Sequence, residues 1–184
     1  PTNTPYEGAF FERLVTWWAV SGASERFSLL FRPHPRDREW RERFGAALDR
    51  PGAAVQEPSF TDIEVLATVL QHTDAVVTNA GTVLLDALVN DRPAVCVLYD
   101  EGAPPGETWA AKSVIGEHYR DVASSGAFHE ARSFDEVTAG LERCLASPAE
   151  LAARRSTVIA RVVGPVDGRS AERVVQAVLE GIGR

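Results

Sequence analysis

A chain of 184 residues is long enough to bury a substantial core within one domain. Its 45% hydrophobic and 24% charged content is that of an ordinary globular protein. The formal net charge of -7 argues against a nucleic-acid-binding surface, and no apolar run approaches the roughly 18 residues that a membrane-spanning helix needs.

Cys96 and Cys144 fall inside an expected strand and an expected helix, without CxxC or Cys/His spacing. Both are expected to be buried reduced thiols of a cytoplasmic protein. The chain opens on Pro1, contains no methionine and carries no signal-like start. A natural chain begins with methionine, so a piece of a longer or processed protein is expected.

Residues 1–5 hold two prolines and read as a loop entering a helix from about Tyr6. Phe11, Leu14, Val15 and Trp18 recur at helical spacing, and the helix is expected to end near Ser21 and Gly22. The aromatic group of Phe10, Phe11, Trp17 and Trp18 is read as core packing. Residues 27–31 form a short apolar strand, stopped by Arg32-Pro33-His34-Pro35-Arg36. Two prolines hold that loop extended, so His34 projects from a stiff segment at a strand's carboxyl end with Arg32 and Arg36 beside it. Ligands of open α/β sheets gather at that edge.

Residues 37–48 read as a charged helix with few buried positions, and residues 53–56 as a brief strand ending at Glu57-Pro58. Thr61-Asp62-Ile63-Glu64 has the form of a capping box, opening a helix whose stripe is Ile63, Leu66, Ala67 and Leu70. His72 is expected to sit on that helix's carboxyl end, where the dipole favours it.

The centre of the chain is residues 73–99. An apolar run (Ala75, Val76, Val77) breaks into Thr78-Asn79-Ala80-Gly81-Thr82, resumes as a helical pattern (Val83, Leu84, Leu85, Ala87, Leu88), and closes on a second run (residues 94–98) after Arg92-Pro93. That is a βαβ crossover, which makes its two strands parallel. The turn after the first strand lies at a helix amino end, where free N–H groups and the helix dipole favour an anion. Gly81 would let a ligand oxygen approach the backbone, and Thr78, Asn79 and Thr82 offer side-chain donors. The same residues would serve equally well as a plain helix cap.

Residues 100–107 are irregular and leave a strand's carboxyl end, so Asp100 and Glu101 are expected to overhang the same edge, either serving sugar hydroxyls or solvated. Residues 112–123 are weakly helical, with His118 in a surface or capping role, and residues 127–129 are expected as the last strand. Two further capping boxes begin at Ser133 and Ser147, the second with Pro148 at the first helical position. Gly164-Pro165 ends the helix that follows. In the last helix Val174, Val175, Val178 and Leu179 are expected to face inward. Five short strands alternating with helices make a single α/β domain with a mainly parallel sheet.

No P-loop, GxGxxG turn, HExxH or GxSxG elbow is present, which counts against a P-loop, a dinucleotide dehydrogenase, a zinc site and a serine hydrolase. The motifs that are present resemble a known family. RPHP at 32–35, D-x-E-x-L-A at 62–67, the segment 74–100 and DGRSAERVV at 167–175 are similar, in order and spacing, to the carboxyl-terminal half of a GT-B transferase. The nearest match is the CDP-glycerol glycerophosphotransferase family of teichoic-acid-type polymer synthesis; UDP-N-acetylglucosamine 2-epimerases share much of the pattern.

The resemblance implies a three-layer Rossmann-like domain, spanning residues 1–184, that binds a CDP- or UDP-linked donor and needs no cofactor or metal. It implies phosphate contacts from Thr78, Asn79, Gly81, Thr82 and Arg32. It implies that His34 stabilises the leaving group, and that Asp86, Asp100 and Glu101 serve the donor's ribose or sugar. It further implies an amino-terminal acceptor half, through which peripheral membrane association could arise, and a central strand upstream of Pro1. The family usually carries two serines where this chain has Ala80-Gly81 or Gly81-Thr82, which leaves the donor open. An epimerase-like isomerase and a non-catalytic α/β interaction domain are the alternative readings.

Overall fold

The computed structural model describes residues 6–57, 59, 61–104, 110 and 119–182. The expected loop at residues 1–5, most of the end of the 100–107 stretch, and His118 lie outside them. Helix α1 (Glu7–Val20) leads through a 3-10 turn (Ala23–Glu25) to β1 (Leu29–Phe31), α2 (Trp40–Leu48), β2 (Ala53–Val55) and α3 (Ile63–His72). The central crossover is β3 (Val76–Asn79), α4 (Thr82–Val89) and β4 (Ala94–Val97). A short helix α5 (Arg120–Ala123), β5 (His129–Ala131), α6 (Phe134–Ala146), α7 (Ala152–Val162) and α8 (Ser170–Ile182) complete the described chain.

All strand pairing is parallel, but it falls into two pieces, β1-β2 and β3-β4-β5, where one continuous sheet was expected. The reason lies in the edges: among the described residues β1 pairs only with β2, and β3 only with β4. The three-layer arrangement follows from β4, whose four residues are all buried. Side chains alternate across a strand, so Val95 and Val97 point to one face and Ala94 and Cys96 to the other. Val95 and Val97 pack with Leu14 of α1 and with Phe134, Val137 and Leu141 of α6. Ala94 and Cys96 pack with Leu84 and Leu88 of α4, Val122 of α5 and Val158 and Ile159 of α7. Helix α6 rides close to the sheet because it carries Gly140, where a Cβ would lie 3.1 Å from Val95 Cγ2 and 3.3 Å from His129 Cβ. The aromatic group of α1 is core packing, with Phe11 stacked 4.3 Å from Phe31 and Trp18 almost fully buried. Burial pushes the Cys96 thiol up to about 12 and the Cys144 thiol up to about 11, so both are inert at neutral pH.

Several local expectations are corrected. Helix α2 starts only at Trp40 and is not a solvated face: Trp40 and Phe44 are buried, since residues four apart share one side of a helix and here meet Phe31. The box at Thr61 does not form; Asp62 begins α3 without a side-chain cap, Ser59 Oγ takes the Thr61 amide, and Ile63 is exposed. The Ser133 cap does form, its Oγ accepting from the Glu136 amide, while the Glu136 carboxylate accepts from Arg132 N. After Ser147 the chain makes a turn and α7 begins only at Ala152, because the Glu150 carboxylate is drawn back to Arg143. The last strand lies two residues later than expected, Ala127 and Phe128 being buried ahead of it. The largest correction is α8: Val174, Val175, Val178 and Leu179 do not face inward but are each more than half exposed. His72 does sit as expected, Nδ1 lying 2.8 Å from the Thr68 carbonyl.

Candidate functional site

The carboxyl ends of β1 and β3 supply the two walls of the site. Past β1, Pro33 is buried and fixes the backbone, leaving Arg32 and His34 half-buried at the edge. His34 Nδ1 accepts the Arg36 amide at 3.1 Å, which places the proton of the neutral ring on Nε2. Burial holds the imidazole below its ordinary value, reinforced by the Arg36 and Arg32 charges and opposed by Asp37. His34 is thus a neutral donor near neutral pH. The Arg32 Nε is buried and has no hydrogen-bond partner among the described residues. A buried guanidinium N–H without an acceptor is costly, and an arriving oxyanion would relieve it.

Past β3, Gly81 stands at the amino end of α4 with φ -172° and ψ -177°, extended backbone that any residue can adopt. The cap residue of this helix is a glycine, so no side-chain cap hydrogen bond forms there among the described residues. Its first-turn N–H groups and the positive end of its dipole are therefore not neutralised by a cap. A Cβ on Gly81 would meet nothing nearer than Asn79 Oδ1 at 4.0 Å, so the space before the turn is open. The Gly81 carbonyl accepts from the Leu84 amide at 3.1 Å and from Tyr119 Oη at 3.2 Å, which fixes the peptide's direction. Thr78 is held in the β3-β4 ladder opposite Cys96, and Thr82 is exposed at the helix start. Asn79 donates from Nδ2 to Glu7 Oε1 at 3.2 Å.

Asp86, one turn into α4, is half-buried; burial raises its carboxyl above the usual range, against the pull of Arg32. The Arg32 charge thus acts on both His34 and Asp86, so the loop past β1 lies within electrostatic reach of α4. Asp100 and Glu101 belong to a hollow of about 250 Å³ past the ends of β4 and β5, lined also by Arg13, Tyr99, Arg132 and Phe134 but by none of Arg32, His34, Gly81, Thr82 and Asp86. There Glu101 pairs with Arg13 at 2.7 Å and accepts from Tyr99 Oη at 3.1 Å, while Asp100 accepts from Ala110 N. Among the described residues no group of acidic, histidine or cysteine side chains could hold a metal ion. None of their helices is long and apolar enough to cross a membrane.

The sequence reading missed Glu7, Asp37, Arg43 and Tyr119, which reach the site only through tertiary contacts. Asp37 lies three residues past His34, but nothing in the sequence marks it as the partner of Arg43.

The fold is a Rossmann-like α/β domain, with the amino end of α4 and the Arg32–His34 loop each following the carboxyl end of a parallel strand. The chain belongs to the CDP-Glycerol:Poly(glycerophosphate) glycerophosphotransferase family, whose description matches residues 16–180. No curated protein and no solved structure matches it.

Proposed function

We propose that this chain is the donor-binding half of a transferase that moves a glycerophosphoryl or glycosyl group from a CDP- or UDP-linked donor to a polymer or glycan acceptor. The observation that carries this reading is the amino end of α4, which no side-chain hydrogen bond caps, together with a buried Arg32 Nε that has no partner among the described residues. Two such features would suit a diphosphate. The amides of Gly81 and Thr82, together with Arg32, would hold its oxygens, and the exposed Thr82 hydroxyl would add a donor. Asp86, deeper along α4, would take the ribose, and Asp100 and Glu101 would line the sugar or glycerol side.

In glycerophosphoryl transfer the acceptor hydroxyl attacks the phosphorus next to glycerol, and the P–O bond to the nucleoside monophosphate breaks. In glycosyl transfer the carbon–oxygen bond to the nucleoside diphosphate breaks instead. Either way negative charge grows on a departing phosphate oxygen. The His34 Nε2–H and the α4 dipole would stabilise that charge with little reorganisation. Each dipole-type contact contributes on the order of 1 kcal/mol, so positioning of donor and acceptor must supply much of the rest. The acceptor and its general base would come from another part of a longer protein.

The test is calorimetric titration of the full-length protein with CDP, UDP and CDP-glycerol. Binding of one of them, lost on replacing Arg32 by Ala, is expected; silence towards all three from a folded protein overturns the proposal.

A further inference from the structure

Three charged side chains from separate parts of the chain meet between the two walls of the site. Asn79 Nδ2, at the end of β3, donates to Glu7 Oε1 at 3.2 Å, across 72 residues of sequence. Glu7 Oε2 faces Arg43 Nη1 of α2 at 4.0 Å, and Arg43 Nη2 pairs with Asp37 Oδ2. The Asp37 amide in turn donates to the His34 carbonyl at 2.8 Å. The side chains of Asp37, Glu7 and Arg43 are only 3%, 14% and 24% exposed. Withdrawing three charges from water is unfavourable, and an apolar trio of similar volume commonly packs at least as well. Stability by itself therefore gives little reason for charges here. Orientation does: Asn79 with Glu7 and Arg43 with Asp37 are directional hydrogen bonds, and between them the Glu7 and Arg43 charges attract at 4.0 Å without one.

We propose that Glu7, Arg43 and Asp37 form a positioning bridge that ties the turn after β3 to the loop carrying His34, and so sets the width of the crevice. This rests on the donor-site reading above. In this arrangement Asn79 acts as a brace and not as a phosphate donor, because its amide is held by Glu7. Its Oδ1 lies beside Gly81, so tilting Asn79 would shift the backbone whose amides face the donor. At the other end Asp37 holds the His34 carbonyl, and with it the aim of the ring. None of the three bridge residues touches the donor.

The experiment measures CDP affinity by calorimetry, with thermal melting alongside, in the full-length protein and its Asn79→Ala, Glu7→Ala, Arg43→Met and Asn79→Ala/Glu7→Ala variants. Each single change is expected to weaken CDP binding by roughly 5- to 10-fold, with the double variant no weaker than the worse single one, as coupled residues behave. Glu7→Gln, which keeps an acceptor for Asn79, is expected to recover part of the Glu7→Ala loss. Folded variants with wild-type CDP affinity, or additive losses in the double variant, would overturn the bridge while leaving the donor site standing. A wild-type protein that binds none of CDP, UDP and CDP-glycerol would remove both. Should Arg43→Met fail to fold, Asn79→Ala, which removes a single bond, and Glu7→Gln still decide the matter.

Discussion

Replacing Gly81 by alanine separates folding from ligand binding, because the two consequences can be estimated independently. At φ -172° and ψ -177° the backbone needs no glycine, and the added Cβ would meet only Asn79 Oδ1 at 4.0 Å, an ordinary contact. Loss of unfolded-chain freedom should stabilise the fold by about 0.4–1 kcal/mol. Gly81 is also the residue at the helix cap, where alanine is poorer than glycine by a similar amount, of order 0.5–1 kcal/mol. The two effects oppose one another, so the thermal midpoint should move by no more than about 2 °C for a chain of this size. Binding should respond differently. The methyl group occupies the open space through which a phosphate oxygen would reach the turn's amides. One charge-assisted hydrogen bond is worth about 1.5–3 kcal/mol, so nucleotide affinity should fall by roughly 10- to 100-fold. The assay is calorimetry with CDP or UDP on the full-length protein, with differential scanning fluorimetry for stability. A Gly81→Ala protein that melts normally and binds its nucleotide as tightly as the wild type would refute the reasoning.

Asp91 has φ +52°, and its carboxylate accepts from Arg155 Nε at 2.7 Å, Arg155 itself being 2% exposed. Asp91→Ala should lose about 2–3 kcal/mol in urea unfolding, from left-handed strain and a charged hydrogen bond lost. Asp91→Asn should lose much less. Leu84→Ala, at a position with no exposure, should lose about 2–5 kcal/mol by the same measurement. His34 and His129 are both held below their ordinary values, chiefly by burial, so the unfolded chain binds their protons more readily than the fold does. Stability should therefore be fully present above about pH 7.5 and fall as the pH drops through about 6.5. Asp86 acts oppositely, but only in the more acid range. A urea midpoint that did not change from pH 7.5 to 5.5, or a His34→Gln/His129→Gln protein with the same slope as the wild type, would contradict this.

Local patterning by itself determined the central crossover, its parallel strands and a helix opening out of the turn past β3, because alternation and helical periodicity act over a few residues. The same short-range signals placed Arg32 and His34 on the loop past β1, since prolines stop the strand there, although the chain turns at Pro35-Arg36 instead of staying extended. They erred where distant partners compete. Ser59 and Arg143 took groups that the boxes at Thr61 and Ser147 would have used, and Trp40 and Phe44 found a core from a sequence that reads as charged. The outward face of α8 was misread because periodicity shows that a helix is amphipathic but not what it packs against. Tertiary structure alone decided that Asn79 meets Glu7 and that the charge of Arg32 reaches Asp86. Those contacts join residues about 50 to 70 positions apart, and only packing brings such residues into one field.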